Sequence, residues 1–174
     1  MKQHLLMSVA AGVVLFVWGF VSWAVLPWHN LTANKFTNEA AVSRVLKENA
    51  PQAGIYFLPF SEKDHGPNQT GAFANVLPQG TDMNMGKLMA TALVTQMISA
   101  FLVLWLLLQS AAKTFWHRVG FMALVGFVIG FVSHAPYWNW FGFSTPYVLV
   151  IILDSIIGWT LAGLAVARFA PSHR

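Results

Sequence analysis

Cysteine is absent from this chain of 174 residues. Its absence excludes disulfide bonds, iron–sulfur clusters, zinc sites with thiolate ligands and thiol nucleophiles. Any part of the chain that lies outside its hydrophobic segments must therefore be stabilised by packing alone.

Charged residues are also scarce. They make up 9% of the chain, whereas hydrophobic residues make up 56%, and an average soluble protein has roughly 25% charged residues. This composition predicts an integral membrane protein. The formal net charge of +4 is explained mainly by basic residues in short loops, so a nucleic-acid partner is not indicated.

Sequence motifs for common cofactors and for hydrolytic nucleophiles are missing too. The chain has no glycine-rich phosphate loop, no Gly-x-Ser-x-Gly elbow, no His-Glu-x-x-His motif and no paired histidines within the apolar segments that could hold haem. Nucleotide, haem and iron–sulfur cofactors are therefore not predicted, while a metal ion or a lipid stays open. The two halves do not resemble an inverted repeat, which argues against a single-chain secondary transporter.

The chain does contain four apolar runs of the kind that cross a bilayer. They lie at residues 5–26, 88–109, 119–134 and 146–168, and the third is the shortest. They predict an all-α membrane protein, a four-transmembrane-helix bundle, with one polar insertion at residues 27–87 between the first two helices. The first run has about 22 residues, which is longer than the core of a secretory signal, so we expect it to be retained as a helix.

The polar insertion at residues 27–87 has the pattern of a small α+β unit. Asn38 precedes an amphipathic segment and predicts an N-capped helix over 38–49. Two short apolar segments separated by a polar loop predict a β-hairpin over 54–77. About 60 residues bury little core of their own, so we expect the insertion to rest on the membrane surface and on an aromatic loop at residues 135–145.

Basic residues in the short segments predict the orientation of the bundle. Those at the ends of the four runs all fall on the same side of the membrane; they are Lys2, Lys113, Arg118, Arg168 and Arg174. The loop at 135–145 has no Lys or Arg. We therefore expect both termini in the cytoplasm, with the insertion and the aromatic loop on the outer, periplasmic side. The short loops are typical of a bacterial inner-membrane protein.

Asp154 is the most informative residue, because it lies inside the fourth apolar run. An ionised side chain at that depth costs roughly 2.5 to 3.5 kcal/mol, so such an acid is either functional or a satisfied hydrogen-bonding group. With a rise of about 1.5 Å per residue, Trp18, Thr95 and Gln96 fall at the same depth. We expect these side chains to be its donors and to form a ligand-binding cluster with it.

The third run carries two features at nearby levels. Gly126 and Gly130 have the spacing that allows two helix backbones to approach closely. His134 lies one turn above Gly130, and it is the candidate catalytic partner of Asp154.

Several side chains are candidate metal ligands. Three histidines and two methionines on the outer side have suitable side chains, the methionines for Cu(I); they are His29, His65, His134, Met83 and Met85. No paired histidine spacing is present. The competing interpretation is that the histidines are solvent-exposed or lie at the membrane interface and that the methionines serve only in packing.

The aromatic loop has more tryptophan than an interfacial belt requires. Trp138 and Trp140 lie within the segment 137–143, which is almost entirely aromatic. Such a cluster anchors a protein at the interface, and it also suits the binding of a lipid headgroup or a partner. We include both tryptophans among the candidate ligand-binding residues.

Two functions fit these patterns. The first is a non-enzymatic membrane protein, a binding or accessory subunit that docks a partner or a lipid-like ligand at its outer face. Its expected partners are membrane lipids, further copies of the chain and other membrane subunits. The alternative is an intramembrane enzyme or a proton-coupled carrier that uses Asp154 and His134, with or without a bound metal. The sequence leaves open whether the protein is an enzyme.

Overall fold

The computed structural model of the protein describes residues 2–61, 63 and 66–170. Its elements, in chain order, are α1 (Lys2–Phe20), a π-helix (Val21–Val25), α2 (Trp28–Leu31), α3 (Glu39–Asn49), β1 (Gly54–Leu58), β2 (Ala72–Val76), α4 (Met85–Gln109), α5 (Phe115–Phe141) and α6 (Thr145–Val166). Within the described ranges, four helices are long and apolar enough to cross a membrane: α1 with its π-helical end, α4, α5 and α6. The protein is thus mostly helical with a small two-stranded sheet, as the sequence predicted.

The chain divides into two compact units. The helical unit contains the residues up to Ala33 and those from Asn84 onward, and the inserted unit contains residues 34–83. The functional candidates around Asp154 all belong to the helical unit.

Within the helical unit, α1 packs against both α4 and α6, and α5 packs along α6. The faces that meet carry the core, which includes Leu15, Leu104, Met122 and Trp159. The opposite faces leave large apolar side chains exposed, as with Leu102 of α4. Burial of one face and exposure of another apolar face is the pattern of a helix that contacts protein on one side and lipid on the other.

The approach of α5 to α6 is as close as the glycine spacing predicts. A Cβ atom on Gly126 would lie 2.7 Å from the carbonyl oxygen of Ser155, and one on Gly130 would lie 2.9 Å from the Cα atom of Ile152. Both distances are below van der Waals contact. The two helix backbones therefore touch directly along this face.

The α5 helix is longer than the apolar run from which it was predicted. The run ended at residue 134 and a loop was expected over 135–145, but the helix continues through Pro136 to Phe141. The fixed φ of proline is compatible with a helix, although Pro136 removes one backbone hydrogen bond and its ring crowds the carbonyl four residues earlier. The helix ends at Gly142, which has a φ of +67° that glycine adopts without strain. The aromatic residues therefore lie mostly on a helix.

At the other end of α5, Arg118 is buried and holds the end of α6. Its Nη1 atom donates to the carbonyl oxygens of Ala167 and Ala170 at 2.8 and 2.6 Å. The last carbonyls of a helix have no partner within the helix, and a cation there also complements the helix dipole. This residue was expected only as a loop charge that fixes orientation; it also joins two helices.

The inserted unit contains α3 and the antiparallel pair β1 and β2. The Asn38 side chain accepts a hydrogen bond of 2.9 Å from the backbone N–H of Ala41, which caps the start of α3. In the sheet, Gly54 is opposite Val76 and Leu58 is opposite Ala72. A shallow groove of about 300 Å³ lies between α3 and the end of β2.

Candidate functional site

Asp154 is hydrogen-bonded to Trp18 across the contact between α6 and α1. The indole Nε1 donates to the Oδ1 atom at 2.7 Å and is also 3.1 Å from the backbone carbonyl of Asp154. Gly158, one turn along α6, makes room for the indole, since a Cβ there would lie 2.8 Å from the Cδ1 atom of Trp18. The structure therefore brings together Trp18 and Asp154, which the sequence predicted at the same depth.

A change of helix geometry at the end of α1 brings a histidine to the same carboxylate. Over Val21–Val25 the chain is a π-helix, closed by a hydrogen bond of 3.0 Å from Leu26 N to the Val21 carbonyl. After Pro27 the short helix α2 packs back on this segment. As a result, the Nε2 atom of His29 lies 3.7 Å from the Oδ2 atom of Asp154.

Ser22 connects this histidine to the π-helix. Its Oγ atom is 2.9 Å from His29 Nε2, and it accepts a hydrogen bond of 3.0 Å from Trp28 Nε1. The exposed fraction of Ser22 is 0%. Asp154, His29, Ser22, Trp18 and Trp28 therefore form one connected group, which we call the Asp154 cluster.

Tryptophan rings enclose the imidazole of His29. Trp23 stacks on it with ring centroids 3.8 Å apart and planes inclined by 8°, and Trp28 meets it edge-on at 5.5 Å. Only 3% of the His29 side chain is exposed, against 17% for Asp154. The carboxylate is thus the more accessible end of the pair.

The groups that face the two ring nitrogens favour one tautomer of His29. In the part of the chain that the structure describes, its Nδ1 atom is buried and has no hydrogen-bond partner. The Oδ2 atom of Asp154 faces Nε2 at 3.7 Å, and orphaned buried N–H groups are rarer than orphaned acceptors, so we assign the ring proton to Nε2, on the side of Ser22 and Asp154. Nδ1 then carries an unused lone pair.

The charge state of His29 follows from its surroundings. Burial lowers the pKa of His29 below its ordinary value, and the nearby carboxylate of Asp154 opposes this shift with a smaller effect. Removing water from around an imidazolium destabilises the charged form. The neutral form is therefore favoured in the packed structure.

The Asp154 cluster contains a serine, a histidine and an aspartate, but it does not have the geometry of a nucleophilic triad. In such a triad the serine and the acid face opposite nitrogens of the imidazole. Here both Ser22 and Asp154 face Nε2. Since Ser22 is also fully buried, this arrangement does not present its hydroxyl to a substrate.

The other residues predicted beside Asp154 lie elsewhere. Thr95 is exposed, and its hydroxyl donates to the Thr91 carbonyl of its own helix at 2.9 Å. Gln96 is half-buried. Among the described residues, no hydrogen bond connects either of them to Asp154. The rise along a helix does not specify which way a residue points around the axis of α4.

His134 has a different set of neighbours from the one expected. Its Nδ1 atom lies 2.8 Å from Ser133 Oγ, and its ring lies 6.3 and 6.4 Å from the rings of Tyr137 and Tyr147. It belongs to the aromatic end of α5 and α6, and His29 occupies the position beside Asp154 that was expected for it.

The structure tests the candidate metal ligands through the carboxylates and imidazoles of the described residues. There, no group of three or more His, Asp or Glu side chains is placed to hold a metal ion. Met83 and Met85 are exposed. His65 lies outside the described residues.

Trp138 and Trp140 line a groove between the end of α5 and the start of α6. Its volume is about 590 Å³. Its walls are mainly apolar and include Phe131, Pro136, Val148 and Ile152, and its polar residues are Asn139 and Thr145. Trp138 Nε1 donates to Thr145 Oγ1 at 3.1 Å, which fixes the indole across the two helices.

The role of His29 beside Asp154 was not predicted from the sequence. The available signals were Pro27, which ends the first long helix, and the i, i+4 spacing of Trp18 and Ser22, which puts them on one helix face. The π-helix changes this face by adding a residue to one turn, and no sequence pattern marks it.

Comparisons of the chain with models of protein families, with curated proteins and with solved structures find no match.

Proposed function

We propose that the protein is a small integral protein of a bacterial inner membrane, with four transmembrane helices and both termini in the cytoplasm. Four sufficiently long apolar helices support the membrane location. Lys113, in the connection between α4 and α5, and Arg168, after α6, support the orientation under the positive-inside rule. Residues 34–83 then form a periplasmic unit.

Its function in this proposal is non-enzymatic binding of a lipid-like ligand at the outer face. The observation that carries this function is the groove of about 590 Å³ between α5 and α6. Pockets for small molecules have volumes of roughly 300 to 1,000 Å³ and are mostly apolar with a few polar groups. The groove has this composition, with Asn139 and Thr145 as its polar groups.

The physics of the bilayer limits what such a groove selects. A lipid chain that moves from the bilayer into the groove gains little hydrophobic free energy, because lipid tails are as apolar as the groove. Preference for one lipid must come from shape and from polar contacts. Asn139 and the indole of Trp140 are the groups at the groove that can contact a headgroup.

Filling the groove tests this function. Ala135 lines it, so Ala135→Phe should exclude the ligand, whereas Ala92→Phe adds the same side chain at an exposed position of α4. Native mass spectrometry of protein released from bilayers of phosphatidylethanolamine and phosphatidylglycerol should show a retained lipid on wild type and on Ala92→Phe, and at least a tenfold smaller lipid-bound fraction on Ala135→Phe. Equal retention by both variants would contradict the proposal.

The alternative function, an enzyme or proton-coupled carrier using Asp154 with His134, has less support. The contacts of His134 are with Ser133, Tyr137 and Tyr147. A proton-transfer pair needs hydrogen-bond reach, directly or through one water. The carboxylate of Asp154 has His29 as its neighbouring base instead.

A further inference from the structure

The helix α2 consists of the four residues Trp28–Leu31. Isolated helices of this length are not stable in water, because nucleation costs more than one turn of hydrogen bonds returns. The position of α2 must therefore depend on its side-chain contacts with α6 and the π-helix, which are made by Trp28 and His29. Two residues after α2, at Ala33, the helical unit ends.

We propose that His29 is a proton-operated latch, which holds α2 against α6 while the imidazole is neutral and releases α2 when the imidazole takes up a proton. This inference goes beyond lipid binding and is independent of it. It rests on the Asp154 cluster, whose residues do not line the groove between α5 and α6.

The direction of the effect follows from the geometry. Neutral His29 uses its Nε2–H toward Ser22 and Asp154 and leaves only a lone pair on Nδ1 without a partner. A proton taken up at Nδ1 becomes a buried N–H with no acceptor among the described residues, and an unsatisfied buried donor has a free-energy cost. Release of α2 exposes Nδ1 to water and removes this cost.

Other groups around the ring determine how strongly the latch responds. From α6 the facing titratable group is Asp154, whose Oδ2 atom at 3.7 Å favours the imidazolium. From the π-helix the ring meets Ser22 and the face of Trp23, and an aromatic face also favours a cation. From its own helix the ring meets the edge of Trp28. Burial outweighs the carboxylate, since the pKa of His29 is lowered.

The pH range of release follows by linkage. Between the ordinary histidine pKa of about 6.5 and the lower pKa of docked His29, released α2 binds a proton and docked α2 does not. The docked form therefore loses stability as the pH falls below about 6.5. Above that pH both forms are neutral, and the latch holds.

The test uses the full chain in lipid nanodiscs with histidine labelled at Cε1, titrated by NMR from about pH 8 to about pH 5. The His29 signal is identified by its loss in His29→Gln. It should titrate below the ordinary value and move to still lower pH in Asp154→Asn, because that variant lacks the carboxylate that favours the charged ring. His134→Gln is the control and should leave the His29 midpoint unchanged.

Hydrogen exchange reports the release itself. Amide protection factors over Trp28–Thr32 should fall at least threefold between pH 7.5 and pH 5.5 in wild type, while those of α4 stay constant. Protection that is independent of pH, or a His29 midpoint that Asp154→Asn does not shift, would overturn the proposal. If His29→Gln does not fold, Asp154→Asn and the exchange data still decide, and His29 is assigned by replacing the other histidines one at a time.

Discussion

At the scale of single residues, Asp154 shows how a carboxylate is tolerated in an apolar helix. Its cost at the middle of a membrane helix is roughly 2.5 to 3.5 kcal/mol on insertion scales. A hydrogen bond to a charged group contributes about 1.5 to 3 kcal/mol, and Trp18 supplies one at 2.7 Å. The hydrogen bond from Trp18 thus offsets most of that cost.

The prediction at this scale compares two substitutions at that bond. Trp18→Phe retains an aromatic ring but removes the donor, and it should lower the free energy of unfolding by about 1 to 3 kcal/mol. Asp154→Asn retains an oxygen that accepts from Trp18, so its effect should be under about 1 kcal/mol. Unfolding in detergent, followed by circular dichroism, measures both. Loss of the fold in Asp154→Asn alone would show that the charge itself is structural.

The sequence predicted some residues of the Asp154 cluster and missed others. Trp18 was found because a regular rise fixes depth along a helix. For Thr95 and Gln96 the rise along α4 was not enough, because the face of α4 that meets α1 is set by the packing of residues such as Ala100 and Leu104. His29 follows a proline after which no periodicity constrains the path of the chain. Its approach to Asp154 is therefore a result of tertiary structure.

At the scale of helices, hydropathy predicted the existence of the four long helices but not all of their ends. An apolar run ends where polar residues begin, whereas a helix ends where its backbone hydrogen bonds stop. In α5 these points differ, because Pro136 and the aromatic residues after it remain helical up to Gly142. The groove between α5 and α6 exists because of this extension.

The contact of α5 with α6 predicts that replacing glycine by alanine has different effects on stability at Gly126 and at Gly120. Gly126→Ala should destabilise the protein by about 1 to 3 kcal/mol, since its Cβ would overlap the Ser155 carbonyl and force the helices apart. Gly120 lies on the same helix with open space around its Cα atom. Gly120→Ala should be neutral or stabilising by up to about 1 kcal/mol through helix propensity. Thermal unfolding in one detergent compares them, and equal effects would contradict the packing.

At the scale of the whole molecule, the lack of cysteine makes the proposed orientation directly testable. Ala111, between α4 and α5, and Gln79, in the inserted unit, are both exposed. Single cysteines introduced there provide unique labelling sites. With a thiol reagent that does not cross membranes, Gln79→Cys should be labelled in intact cells, and Ala111→Cys should be labelled only after the inner membrane is opened. The reverse labelling pattern would show that the orientation is opposite to the proposed one.

The π-helix at Val21–Val25 acts as an insertion of one residue in an otherwise regular helix. A deletion of one residue can therefore reverse its effect. Each residue of an α-helix turns the chain by about 100°. Deleting one residue from this segment would restore α-helical register and rotate everything after it by that angle, so that Pro27 would leave α1 toward a different neighbour. The direction in which the chain leaves α1 is thus set by a single extra residue.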